Sequence, residues 1–207
     1  MKQDKDTKIK LLASARQEFI EKGYMNASLR NICKNAGVTT GALYFFFKDK
    51  ADLFEQLVKG TVETIYSVMS GHFSDENEQA EMGALNHLDD IDSSNDYEDT
   101  MKIVHLMYEH RDDVLMLLTK SQGSPYEGIV DRFVDTVEIH YRNMADHMEK
   151  VNPDNHIDDR VIHWLSHQQI DMFVYMITHI DNEQQALLFM QQSIAYRAAG
   201  WIGLFSN

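Results

Sequence analysis

Proline is almost missing from this chain, with two in 207 residues, Pro125 and Pro153. The long intervals between them leave room for long helices, and no convincing alternation of apolar and polar residues marks a strand. The expected fold class is all-α. Cysteine occurs once, as Cys33. A lone cysteine forms no internal disulfide, which fits a reducing compartment. No apolar run approaches the roughly 18 residues of a membrane span. The opening MKQDKDTKIK has no apolar core of the kind that a secretory leader needs. The reading is cytoplasmic, with no membrane partner. SIAYRAAGWIGLF is apolar but short and carries Arg197, so a buried or interface helix is expected there. There is no nucleophile elbow, phosphate loop or catalytic zinc motif, and neither an enzyme nor a cofactor is expected.

Acidic residues are scarce only at the start. Net charge is −14 overall, yet residues 1–59 carry 11 Lys and Arg against 7 Asp and Glu, while the rest carry 8 against 26. A basic head precedes an acidic body. Local positive charge is enough to meet phosphate, and an acidic remainder weakens non-specific adhesion along DNA.

What is present is helical spacing. Ile9, Leu12, Ala13, Arg16, Phe19 and Ile20 recur at three and four, and Gly23 stands where a helix commonly ends. Ser28 is placed to cap a short helix with Leu29, Ile32, Cys33 and Ala36 on one face, ended by Gly37. Thr39 caps a third helix, with Leu43 and Phe47 inward. Asp49 caps a fourth, running to about residue 72. The acid-rich stretch between Phe73 and Asp99 reads as a mobile loop with room for one marginal helix. Periodicity resumes over about 100–121. Ser124-Pro125 reads as a helix start, with a stripe from Ile129 to Met148. Another helix holds Val161 to Met176, and the last begins at Asp181, with Gln184 completing a capping-box arrangement.

Two short helices joined by a glycine turn, behind a longer one, make a helix-turn-helix unit whose second short helix fits a DNA major groove. VTTGALYFFFKDK is that helix. Leu43 and Phe47 face inward, while Thr40, Gly41, Tyr44 and Phe45 face out. Gly41 lowers helix stability but clears space for a close approach. Tyr44 offers a hydroxyl to phosphate, and Lys48 and Lys50 stand at the next helix start, whose free N–H groups also favour phosphate.

The segment FIEKGYMNASLRNICKNAGVTTGALYFFFKDKADLF resembles the helix-turn-helix of the TetR family of transcriptional regulators. The likeness is specific over residues 8–59; beyond them only the helical layout is similar. Gly23-Tyr24, Ala36-Gly37-Val38, Gly41, Leu43-Tyr44, Phe47, Lys50 and Leu53 stand at the family's motif positions. The residues matching Phe45 and Phe46 vary in the family and are often polar; with phenylalanine at both, Phe45 has only apolar contact with thymine methyls available. Phe45 and Phe46 both have packing against the first or fourth helix as an alternative. The resemblance implies a head of residues 1–49 that binds a palindromic double-stranded operator through Ser28, Thr39, Thr40, Gly41, Tyr44, Phe45, Lys48 and Lys50. It further implies a homodimer and a helical body, residues 50–207, that binds a small effector, the helix from 50 to about 72 linking the two. A repressor released by that effector is the leading reading; the alternative is the same DNA-binding fold regulated by a protein partner.

Within the body the residues point to candidates only. His105, Tyr108, Phe133, Tyr141, Trp164 and His167 are taken as effector-binding, among methionines such as Met101, Met107, Met116 and Met144, which adapt to varied ligand shapes. Trp164, Leu165, Met172, Leu188, Ala195, Ala198 and Trp201 mix large and small residues on the last two helices, a pattern suited to close packing across a twofold axis. His163 and His167 have the i, i+4 spacing of a metal pair, but the glutamate of a catalytic zinc motif is missing between them. No metal is expected. Cys33, sharing a face with Leu29 and Ile32, reads as a buried, inert thiol.

Overall fold

Three of the expected caps are made as read. The Ser28 side chain accepts from the Asn31 N–H, and Thr39 Oγ1 accepts from that of Ala42 at 3.2 Å. Asp49 Oδ1 accepts from the Asp52 N–H at 2.9 Å, and Asp52 returns the favour to the Lys48 N–H at 2.9 Å. Each cap satisfies N–H groups that helix geometry leaves without partners. Gly23 (φ 71°, ψ 163°) and Gly37 (φ 68°, ψ 32°) take the conformations that end helical runs and that side chains disfavour.

The computed structural model describes residues 2–81, 94–151, 153–154 and 156–205. Among the described residues the regular structure is all helical: α1 Lys2–Asn26, interrupted at Gly23, α2 Leu29–Ala36, α3 Thr40–Phe46, α4 Lys50–Glu81, α5 Ser94–Glu109, α6 Arg111–Lys120, α7 Ile129–Val151, α8 Asp159–His179 and α9 Glu183–Phe205. No helix of these residues is long and apolar enough to cross a membrane.

Several boundaries differ from the expectation. The fourth helix runs to Glu81 and α5 starts at Ser94, so both flanks of the expected loop are helical; its middle, residues 82–93, lies outside the described residues. The single stretch over 100–121 is two helices, broken at His110 (φ −112°, ψ 33°). Pro125 does not start a helix. It sits in a run of turns between Gly123 (φ 80°) and Gly128 (φ 75°), with Ser124 Oγ accepting from the Tyr126 N–H. A helix cannot run through Gly128 at that φ, and α7 begins one residue later. The cap of α9 is Asn182, whose Oδ1 accepts from the Gln185 N–H, one residue after the expected Asp181.

The chain forms two compact units, residues 1–64 with 110–129, and residues 65–109 with 130–207. This partition differs from a head of 1–49 and a body of 50–207, because α6 packs on α1. Arg16 grips Asp113 through two parallel bonds, Nε to Oδ1 at 2.7 Å and Nη2 to Oδ2 at 2.9 Å. Burial pushes the Asp113 carboxyl up despite that guanidinium.

In the first unit the inward stripe of α1 is rotated from the expected one. Leu11, Ala15 and Phe19 are buried, whereas Ile9 and Ala13 are exposed. The rotation turns two polar side chains onto α2. Ser14 Oγ donates to the Ile32 carbonyl at 2.8 Å, and the buried Glu18 carboxylate accepts from Ser28 N–H and Asn31 Nδ2. Phe19, Tyr24 and Phe54 pack ring against ring, at centroid distances of 5.1–5.9 Å.

The second unit has a core rich in methionine and β-branched residues, including Val104, Met107, Val137, Met144, Met148, Ile162, Met176 and Met190. His105 on α5 meets Glu183 on α9, Nδ1 to Oε1 at 2.8 Å, and His156 meets Glu149 at 3.0 Å. In each pair the hydrogen-bonded carboxylate raises the histidine above the ordinary 6.5. A histidine raised by folding contributes stability that is fully present below about pH 6.5 and is lost as pH rises through its folded value. The melting temperature should therefore decline between pH 6 and pH 9, and His105→Gln should shallow that decline. An identical pH slope in variant and parent would rule out the α5–α9 pair as a source.

Candidate nucleic-acid interface

The outer face of α3 is prepared by what lies beneath it. Leu43 and Phe47 are buried, which fixes the roll of a seven-residue helix too short to persist alone. Thr39, Thr40, Gly41, Tyr44, Phe45 and Lys48 all lie exposed, as the spacing predicts. Tyr44 is 58% and Phe45 76% exposed, unusual for aromatic side chains. Phe46 is half-buried, with its ring edge-on to Phe45 at 4.9 Å and 6.3 Å from Phe47. Arg30, Lys34 and Lys48 add exposed positive charge on and beside the two short helices.

Gly41 has no internal reason to be glycine. Its φ is not positive, and a Cβ there would meet only Thr39 Oγ1, at an ordinary 3.8 Å. Glycine inside a helix costs about 0.5–1 kcal/mol relative to alanine. The chain carries that loss without a packing benefit, so the bare backbone serves something that approaches from outside. Gly41→Ala should leave the fold as stable or raise stability by up to about 1 kcal/mol in urea denaturation, while weakening duplex binding. Tighter or unchanged binding would remove the close-approach argument.

Lys50 and the first N–H groups near α4 are engaged by the chain itself. Lys50 does not extend toward the outer face. Its ammonium donates to the carbonyls of Tyr24, Met25 and Ala27 at 2.8, 3.2 and 3.3 Å and lies 4.6 Å from the Tyr24 ring centre. Its three protons all point at the chain's own backbone, so it is a positioning residue. Likewise the N–H groups expected to be free at the start of α4 are partly taken, since Lys48 N–H and Asp52 N–H bond to the Asp52 and Asp49 carboxylates. Ser28 is half-buried as the cap of α2 and acts by setting where that helix begins. Lys50→Met should destabilise the chain by about 1.5–3 kcal/mol, the range for hydrogen bonds to a charged group, read as a lower urea midpoint with an unchanged slope. A midpoint equal to the parent's would contradict the positioning role.

The candidate effector residues are not brought together. His105 is exposed and bonded to Glu183, and Tyr108 donates to the Ile180 carbonyl at 2.6 Å. Phe133 is buried against Tyr66, ring centres 4.9 Å apart. Met116 belongs with α6 in the first unit, fully buried. These side chains hold helices to one another, which periodicity could not distinguish from lining a cavity. His167 stacks edge-on with His163, which bonds to Glu138 at 2.6 Å; among the described residues no group of three ligands is placed to hold a metal. Cys33 is buried, and burial pushes its thiol up.

Tyr141 and Trp164 do share a site, an open groove of about 590 Å³ along α8 and α9. It is mainly apolar, and Leu165, Met172, Tyr175, Tyr196 and Trp201 contribute to its walls. Trp164 is 57% and Tyr196 79% exposed. Of the other residues expected to meet a second copy, Leu188 and Ala195 are exposed and Ala198 is half-buried. Arg197 also lines the groove, and its Nη1 is buried without a hydrogen-bond partner among the described residues. The motif residues carried no signal for this groove, although the aromatic stripe of α8 and α9 did.

The family described as bacterial regulatory proteins, tetR family, matches residues 11–57. The HTH-type transcriptional repressor BepR of Brucella suis biovar 1 (strain 1330) is 42% identical over 53 residues, which is 26% of this chain and 25% of BepR. The HTH-type transcriptional regulator AcrR of Shigella flexneri is 44% identical over 52 residues, 25% of this chain and 24% of AcrR. The chain thus matches about a quarter of the length of these curated relatives. A solved structure described as a gamma-butyrolactone receptor (ArpA-like protein) matches 99% of this chain and 96% of its own, with a TM-score of 0.57 at 19% identity. At that identity the likeness is one of fold, and it extends the shared all-α architecture across the chain.

Proposed function

We propose that this chain, whose head carries the helix-turn-helix of the tetR family of bacterial regulatory proteins, is a sequence-specific DNA-binding transcriptional regulator. The observation that carries the reading is the outer face of α3: a glycine with no internal purpose, beside an exposed tyrosine and phenylalanine, on a helix fixed from below by Leu43 and Phe47. Thr39, Thr40, Gly41, Tyr44, Phe45 and Lys48 meet the duplex; Ser28 and Lys50 set the pose. BepR, similar over 53 residues, is by name a repressor. Repression is accordingly the sign of regulation proposed here, by a head of residues 1–49 under the control of a body of residues 50–207.

Two further parts of the reading concern the body. A second copy packs through α8 and α9, which leave the large side chains of Trp164, Tyr175, Leu188 and Tyr196 exposed. Such a twofold dimer presents two copies of α3 to a palindromic site, with half-sites about one helical turn apart or a multiple of it. A small, largely apolar effector then releases the operator. The groove of about 590 Å³ supports it, being of ligand size and mainly apolar, with Arg197 as a polar anchor. A preference of about 1–3 kcal/mol for the DNA-incompetent state would change operator affinity roughly 5–150-fold. Control by a protein partner is the second reading, and the same exposed face favours it.

The test is selection of duplexes from a random pool with the full chain, followed by titration. A palindromic site should emerge, bound by a dimer at micromolar protein in sedimentation, with affinity falling on the order of a thousandfold between 50 and 200 mM salt if six or more phosphates are met. Tyr44→Ala should weaken all duplexes alike. Failure to enrich any sequence would defeat the DNA reading, whereas a monomer on half-sites would defeat only the dimer. Compounds that raise the melting temperature of the full chain should shift operator affinity; if none does, partner control takes precedence.

A further inference from the structure

We infer that Phe45 reads the 5-methyl group of a thymine in each operator half-site, with Phe46 as the residue that aims it. The inference rests on the DNA-binding reading above and deepens it by naming what the exposed face recognises.

Phe45 is 76% exposed, on the same face as Gly41, whose missing side chain lets a partner come close. Its ring has no hydrogen-bonding group. In the major groove the base edges offer donors, acceptors and one apolar feature, the methyl group of thymine. An apolar ring held against donors and acceptors would strip their water without replacing it, so the methyl is the feature that a phenylalanine can bind with gain.

Exposed side chains ordinarily wander among rotamers, which blurs discrimination. Phe45 is braced instead. Its ring meets the Phe46 ring edge-on at 4.9 Å and 88°, and Phe46 in turn lies 6.3 Å from Phe47, which is 1% exposed. Lys8 from α1 sits 5.6 Å from the Phe47 ring centre. Three consecutive rings thus step from the core of the unit to its outermost face. Edge-to-face contacts of this kind favour a defined geometry beyond the area that they bury. The bracing explains why position 46 is aromatic although only half-buried.

The chemistry permits a test on single atoms, because replacing thymine by uracil removes the methyl and leaves the pairing and the hydrogen-bonding groups. Duplexes selected by the full chain would be rebuilt with uracil at one thymine position at a time, and their affinities measured for the parent, Phe45→Ala and Phe46→Leu. One thymine per half-site should stand out. Loss of its methyl should weaken the parent roughly fourfold, the effect of unburying one methyl-sized group, and roughly sixteenfold when both half-sites are changed. Phe45→Ala should bind thymine and uracil duplexes equally. Phe46→Leu should reduce the uracil penalty while leaving salt dependence and melting temperature unchanged, a result that mere loss of packing would not produce. A flat uracil scan in the parent, or an undiminished penalty in Phe45→Ala, overturns the methyl reading while leaving DNA binding intact. If no duplex is selected at all, the DNA-binding reading fails and takes this one with it.

Discussion

Three backbone carbonyls, those of Tyr24, Met25 and Ala27, converge on the ammonium of Lys50, and the first unit is arranged around that point. They are available to it because α1 breaks at Gly23 and the chain must turn before α2 can start, although the Tyr24 carbonyl also accepts from the Ala27 N–H at 3.4 Å. Lys50 opens α4, so one side chain joins the end of α1, the approach to α2 and the start of α4. Beneath it the Tyr24 ring is held by Phe19 and Phe54. Desolvation by that packing, with Asp49 nearby as the smaller cause, pushes the Tyr24 hydroxyl up. Neither a glycine break nor a buried ring alone would align α3. The cluster does so because α3 is separated from α4 only by Phe47 to Asp49, so its direction follows from wherever α4 begins.

This arrangement leaves the outer face of α3 unused by the fold. The polar groups of Ser14 and Glu18 hold α2 from within, the caps satisfy the helix starts, and Leu43 and Phe47 anchor α3 from below. Nothing is then required of Thr40, Gly41, Tyr44 or Phe45 for folding. Residues that contribute little to stability yet include a helix-weakening glycine and two exposed aromatic rings are better explained by an external surface that they fit.

Local features were legible in the sequence because they depend on neighbours a few residues apart. Ser28, Thr39 and Asp49 cap, and Gly23 and Gly37 terminate, by rules of spacing and backbone sterics. The outward set on α3 followed from the same arithmetic. Long-range choices were not legible. The Arg16–Asp113 pair spans 97 positions, and nothing in either segment names the other. The lysine at position 50 reads as a phosphate contact by charge alone, since the three carbonyls that claim it exist only once α1 has broken and turned. Ser124-Pro125 carries a valid start signal that Gly128 overrules. His105, Tyr108 and Phe133 looked like ligand groups by type, but type does not reveal that Glu183, the Ile180 carbonyl and Tyr66 already engage them.

That last displacement narrows where regulation can act in the second unit. With those three side chains holding helices together, a ligand that used them would first have to break the α5–α9 and α4–α7 contacts they make. The groove along α8 and α9 imposes no such penalty, being open and mainly apolar already, with Arg197 Nη1 lacking a partner among the described residues. Yet the same side chains are those that a second copy would cover. On the proposed reading a molecule in the groove and a second subunit would meet one surface, and their affinities would be coupled through it. By reciprocity, a ligand that binds one state of association better than another must shift the chain toward that state by the same factor. If the chain is the two-headed DNA reader proposed above, its control would require no more than this, because affinity for a palindrome depends on both heads being held in register.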